Sequence, residues 1–190
     1  MPLFFILGFV FISFVGAILH FAYDFFKQNK IVAFFVSVNE STWEHLKLAL
    51  FPTFVWALVG LQFSFNNYAF AVFVAIFIIT TLIPIIFYTY FHFTKKSILF
   101  VDILSFFVAV ASGLFVAFYI MMQNQLSPIF NIIGIVGISL YALCFMLFTF
   151  LPPRNFLFLD PITKEYGTKA NHGKHHHHHD GYHHENDGER

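Results

Sequence analysis

The sequence predicts an all-α protein that crosses a membrane about five times. Its 190 residues have a mean hydropathy of +0.74, and only 11% of them are charged, which is unusually apolar for a water-soluble domain of this size. Five apolar blocks recur along the chain, and each reaches the roughly 20 residues that a helix needs to span a bilayer. They cover residues 3–26, 42–62, 68–91, 98–121 and 129–150.

The positions of the basic residues predict the orientation of the bundle. All ten Lys and Arg lie in residues 27–47, 95–96 and 154–190, whereas residues 63–67 and 122–128 contain none. With five spans, the three basic regions share one side of the membrane, and the positive-inside rule makes that side cytosolic. We therefore expect the N-terminus outside, the C-terminus in the cytosol and a multi-pass location in the cytoplasmic membrane.

The first block is expected to stay in the protein as a helix. It lacks the basic start of a signal peptide, is too long for its apolar region, and continues to Asp24 without a cleavage-like site. Ser13, Gly16, His20 and Asp24 are spaced by three, four and four residues, so they share one small, polar helix face.

Residues 31–38 are apolar but too few to cross, since eight residues of helix cover about 12 Å. They predict an interfacial or re-entrant piece that places the next residues against the bundle.

Residues 39–47, Asn-Glu-Ser-Thr-Trp-Glu-His-Leu-Lys, form the densest polar run outside the C-terminal tail and open the second block. An ionisable group at membrane depth costs on the order of 2.5 kcal/mol or more, so it usually has a partner or a function. Ser41 and Glu44 fit a capping box, which would explain them structurally. Capping does not explain Glu40 or His45, and on a regular helix His45 points a quarter-turn or more away from the two glutamates.

The later blocks add two further ionisable groups at the predicted cytosolic side. A polar stripe with four-residue spacing ends at His92, just before Lys95 and Lys96. Asp102 lies one to two turns into the fourth block, and we expect a His or Lys against it because an unpaired buried carboxylate is unfavourable. Pro128 favours a helix start for the fifth block.

The predicted organisation is a transmembrane domain of residues 1–151, a cytosolic fold-back segment of residues 152–167 and a disordered, His-rich tail of residues 168–190. The tail mixes eight histidines with acidic residues. It resembles a purification tag, but its run of five histidines and its separate His pair favour a native sequence. Such a tail would bind nickel, zinc, cobalt or copper loosely, or it has no role beyond low complexity.

Seven ionisable side chains fall within about two turns of the predicted cytosolic surface. Imidazole and carboxylate are the usual ligands of zinc, manganese, iron and nickel, and three or four of them with an open position describe a catalytic or transport site. A proton relay or salt-bridge cluster would use the same groups without a metal. The candidate metal ligands are His20, Asp24, Glu40, Glu44, His45, His92 and Asp102.

Over about residues 1–167 the chain resembles an uncharacterised family of small bacterial integral membrane proteins, defined as a domain of unknown function. The resemblance lies in the central run Asn39-Glu40-Ser41-Thr42-Trp43-Glu44-His45-Leu46-Lys47, in His20-x-x-Tyr23-Asp24 and in Phe158-x-Asp160-Pro161-x-Thr163-x-x-Tyr166-Gly167. It implies a multi-helix membrane fold with the central run as the family signature, and it implies no activity.

Three functions agree with these observations. The first is a membrane protein that binds a divalent transition metal at the cytosolic side for transport, sensing or storage. The second is a membrane-embedded hydrolase or transferase, dependent on Glu44 and His45, acting near the inner leaflet. The third is a non-catalytic assembly protein that uses residues 39–47 as a cap and docking surface. The expected partners are the lipid bilayer and a second copy of the chain in a homodimer, and no nucleic acid is expected.

Overall fold

The computed structural model describes residues 1–170, in which five long α-helices form the protein and no β-strand occurs. Two short 3-10 turns, Val32–Phe34 and Gly167–Lys169, lie outside the long helices. The helices are α1 (Pro2–Phe25), α2 (Thr42–Gly60), α3 (Tyr68–Thr94), α4 (Leu99–Met122) and α5 (Pro128–Phe150). The all-helical prediction is confirmed, and the five blocks match the helices to within a few residues. Residues 171–190 of the predicted tail lie outside the described part.

Four of the helices, α1, α3, α4 and α5, are long and apolar enough to cross a membrane. The predicted span at residues 42–62 corresponds to α2, which is not among these four. The reason is local, because Glu44, His45 and Lys47 occupy its first two turns.

Helix α2 nevertheless runs antiparallel to α1 along the depth of the bundle. At one end, the ring of Phe4 in α1 lies 5.0 Å from that of Trp56 in the second half of α2. At the other end, the rings of His20 in α1 and His45 in α2 lie 5.2 Å apart. The polar start of α2 therefore meets the last turns of α1.

Helix α3 packs between α4 and α5 through small residues. A Cβ added to Gly134 of α5 would lie 2.4 Å from the backbone of Ala69 in α3, so only glycine allows the two helices to approach this closely. The middle of the bundle is apolar. It consists of a cluster that includes Leu46, Leu50, Val72, Ile76 and Phe145, and of a second cluster of Ile12, Ala49, Ile79, Val110 and Leu114.

The short apolar piece of residues 31–38 packs against the end of α1. Ala33, Val36 and Val38 are buried, in contact with Ala22 and Tyr23 of α1. This piece leads residues 39–47 to the junction between α1 and α5.

Candidate functional site

The first turn of α2 is capped, but not by the predicted capping box. Ser41 is the N-cap residue, and its hydroxyl accepts a hydrogen bond from the Glu44 N–H at 3.4 Å. The reciprocal bond of a capping box is replaced, since the Ser41 N–H donates to Asn39 Oδ1 at 2.8 Å. The Glu44 carboxylate instead accepts the Val38 N–H at 3.1 Å. Glu44 is thereby turned into the protein interior.

Glu44 forms a buried ion pair with Lys47. The two side chains are 2% and 0% exposed, and Lys47 Nζ lies 2.7 Å from Glu44 Oε2. The ammonium also donates to the carbonyls of Ala33 and Val36, at 3.1 and 3.4 Å, and to the Thr149 hydroxyl of α5. One cation therefore joins the short apolar piece, α2 and α5, and the Glu44 carboxylate is committed to this network.

Trp43 anchors the chain segment that follows α5. Its indole ring stacks on Phe145 at a centroid distance of 4.0 Å and on Phe158 at 4.6 Å. The backbone N–H of Trp43 donates to the Leu157 carbonyl at 3.0 Å. The segment after α5 is thus held against the start of α2.

Asp160 makes the second connection between this segment and residues 39–47. Its carboxylate accepts the Glu40 N–H at 3.0 Å and the N–H groups of residues 162 and 163 at 2.7 and 2.9 Å. In addition, the Asn39 side-chain amide donates to the Gly167 carbonyl at 2.9 Å. Hydrogen bonds to the segment after α5 therefore fix the backbone position of Glu40.

Replacing Asp160 with alanine is expected to release the C-terminal segment. The part-buried N–H groups lose their acceptor, at about 1–3 kcal/mol for an unsatisfied group, so local opening increases roughly 5- to 150-fold. Tryptic cleavage after Lys164 and Lys169, which follows the open population, should accelerate accordingly. The control is Thr163→Ala, which alters an exposed hydroxyl that accepts the Glu165 N–H at 3.4 Å. Equal cleavage rates in wild type and Asp160→Ala would contradict the assignment.

His20, Glu40 and His45 come together beside this network. His45 Nε2 lies 3.3 Å from Glu40 Oε2, and the two side chains are 33% and 37% exposed. One potential ligand atom from each of the three residues lies within 4.8 Å of the others. Glu40 precedes the N-cap residue Ser41 and is free of helical periodicity, so it reaches His45 despite the angle that a regular helix would impose.

The orientation of His45 suits a metal ligand. Its Nδ1 lies 3.0 Å from the Ser41 carbonyl, and a neutral ring that donates this proton presents the lone pair of Nε2 toward Glu40. A backbone carbonyl on the second ring nitrogen is the usual partner of a metal-bound histidine. With bonds of about 2.0–2.2 Å, tetrahedral ligand atoms lie roughly 3.3–3.6 Å apart. The His45–Glu40 separation already falls in this range.

A cavity of about 50 Å³ borders the cluster. One water molecule needs about 10–15 Å³ by the same measure, so the cavity has room for about three to five. A ligand position would therefore remain open to water beside His20 and Glu40. The lining residues are His20, Tyr23, Asp24, Ser37, Val38, Asn39 and Glu40.

The other predicted ligands have different surroundings. Asp24 is exposed and lines the cavity, and it receives a long contact of 3.5 Å from the Gln28 amide. His92 is exposed at the end of α3. Asp102 accepts hydrogen bonds from the hydroxyls of Tyr90 and Ser97 at the α3–α4 turn, and these take the place of the His or Lys that we expected.

Lys47, Ser37 and Asn39 were not predicted individually as residues of the site. Lys47 lies one helical turn after Glu44, and this spacing was the signal for the buried pair. Ser37 and Asn39 are polar residues at the end of an apolar run. Their position in the sequence does not by itself predict that they line a cavity, because this depends on how the run folds against α1. Both are buried and both line the cavity.

Comparison with known proteins identifies the family and supplies no activity. The sequence model of DUF6512, a family of unknown function, matches residues 2–168, which include all five helices, the cluster and the fold-back segment. No curated protein and no solved structure matches the chain. Because the match extends over nearly all of the described residues, the chain belongs to the family of unknown function DUF6512.

Proposed function

We propose that the protein is an integral membrane protein that binds one divalent transition-metal ion at His20, Glu40 and His45. The observation that carries this proposal is the approach of two imidazoles and one carboxylate to within 4.8 Å. Such a ligand set suits Zn²⁺, and also Co²⁺, Ni²⁺, Mn²⁺ and Fe²⁺. Three protein ligands beside a cavity with room for a few waters leave a fourth position open, which is the arrangement of catalytic rather than closed structural sites.

The proposed setting is a bacterial cytoplasmic membrane with the cluster at the cytosolic side. Four helices have the length and composition of spans, and α2 runs beside α1 over the same depth, which supports five crossings. The basic residues then fall on the side where α1 ends and α2 begins.

A role in sensing or storage is favoured over conduction through one chain. An ion path across a membrane is lined by polar or ionisable groups. Within residues 1–170, the bundle beyond the cluster consists mainly of the two apolar clusters. The buried hydroxyls of Thr53 and Thr80 there donate to carbonyls of their own helices. The ion would therefore enter and leave on the same side.

The position of Glu44 favours binding over hydrolysis. A hydrolase that used Glu44 as its base would direct the carboxylate toward the metal-bound water. Glu44 is buried, paired with Lys47 and bonded to the Val38 N–H, and it does not line the cavity. Its surroundings are those of a residue that holds the fold.

The proposal is tested by titrating the full-length protein in detergent with Co²⁺, whose visible spectrum reports coordination. To remove metal binding by the histidines of the tail, the same titration is made on a full-length variant in which all eight histidines after residue 170 are replaced by asparagine, here called the tail variant. The tail variant is expected to bind one Co²⁺ per chain with the intense visible bands of a four-coordinate ion. A spectrum that stays that of the hydrated ion, with no stoichiometric binding, would refute the proposed function.

A further inference from the structure

We infer that the metal ion reaches its ligands through the cavity, and that Asp24 is the first protein carboxylate that it meets. This inference rests on the proposed function and adds to it an entry route and a residue that acts on the rate of binding. It concerns a side chain that lines the cavity without belonging to the three-residue cluster.

The position of Asp24 places it between the cluster and water. It lies one turn after His20 on the same face of α1, about 6 Å farther along the axis, in the last turn of the helix. Both residues line the cavity, but Asp24 is exposed whereas His20 and Glu40 are half-buried. An ion that enters from the exposed end of the cavity therefore passes Asp24 before it reaches His20.

Two other polar side chains of the lining, Ser37 and Asn39, are hydrogen-bonded within the protein. The Ser37 hydroxyl donates to the Asn39 carbonyl at 2.8 Å. The Asn39 side chain donates to the Gly167 carbonyl and accepts the Ser41 N–H. By contrast, the Asp24 carboxylate accepts from the Gln28 amide at 3.5 Å, the outer limit of a hydrogen bond. Asp24 is thus available to attract a hydrated cation.

A carboxylate at the mouth of a small cavity acts mainly on association. A cleft of one charge sign raises the local concentration of the opposite ion and increases its association rate by about tenfold or more. The effect decreases as ionic strength rises, because salt screens exposed charges. Since Asp24 is not one of the three ligands, removing its charge should alter the dissociation rate little.

The test is stopped-flow mixing of Zn²⁺ with the full-length tail variant in the presence of a fluorescent zinc indicator. Asp24→Asn is expected to lower the association rate constant about 3- to 10-fold and to weaken its dependence on ionic strength. It should leave the stoichiometry at one and the dissociation rate within twofold. Asp24→Glu should restore the association rate. The matched control is Glu165→Gln, which neutralises another exposed carboxylate that does not line the cavity.

The outcomes separate the inference from the proposed function. An unchanged association rate in Asp24→Asn, with one Zn²⁺ still bound, would overturn the entry route and leave the three-residue site standing. Loss of stoichiometric Zn²⁺ in Asp24→Asn would also overturn it, because Asp24 would then be a permanent ligand. If the tail variant with Asp24 intact binds no Zn²⁺, both proposals fail together. Thermal unfolding of each variant verifies that the bundle is intact.

Discussion

Replacing Lys47 with methionine is expected to lower the free energy of unfolding by about 3–5 kcal/mol. The substitution leaves the Glu44 carboxylate in a site that is 2% exposed, without its cation. It also removes the donor from the carbonyls of Ala33 and Val36 and from the Thr149 hydroxyl. A buried charge with no partner is among the most destabilising changes that a single substitution can make.

Denaturant unfolding in detergent micelles measures this effect. Lys164→Met, at an exposed position, is the control and should change stability by no more than about 0.5 kcal/mol. The double variant Glu44→Met/Lys47→Met should recover part of the loss, because apolar replacement of a whole buried pair is often tolerated. A loss below about 1 kcal/mol in the single variant would show that the pair does not have the assigned role.

Replacing His45 with alanine is expected to reduce Co²⁺ and Zn²⁺ affinity by at least about 100-fold. Losing a group that merely orients a ligand already costs about 10- to 100-fold, and His45 would be a ligand itself. His20→Ala and Glu40→Gln should produce losses of the same order, since three protein ligands leave none to spare.

Calorimetric titration of the tail variant carrying each substitution measures these affinities. His92→Ala is the matched control, because it removes an exposed imidazole that lies outside the cluster, and it should leave the affinity unchanged. His45 also lies 3.0 Å from the Ser41 carbonyl, so unfolding is measured in parallel. Wild-type affinity in the His20 and His45 variants would remove the basis for the site.

The central run of residues 39–47 therefore combines two roles. Trp43, Glu44 and Lys47 join α2 to α5 and to the returning C-terminal segment. Glu40 and His45 point the other way, toward His20 of α1. These two sets of side chains account for the density of polar residues in the run, and the two predictions above test them separately.

The apolar blocks were enough to predict the helices, because backbone groups in long apolar segments have few alternatives to helical hydrogen bonding. The eight-residue run after α1 was also predictable as a short piece separate from the long helices, since its length alone excludes a spanning helix. By the same logic, depth along the helices predicted that His20 and His45 lie at one end of the bundle.

The sequence periodicity did not show which candidate ligands lie close together, because this depends on tertiary contacts between distant segments. Glu40 reaches His45 because Asp160, 120 residues later, holds its backbone outside the helix. The Glu44 carboxylate points away from the His20, Glu40 and His45 cluster because it pairs with the Lys47 ammonium and accepts the Val38 N–H in the protein interior. Asp102 is bonded to Tyr90 and Ser97 at another turn. Sequence patterns determine which groups share a helix face and a depth, whereas the packing of distant segments decides which of those groups touch.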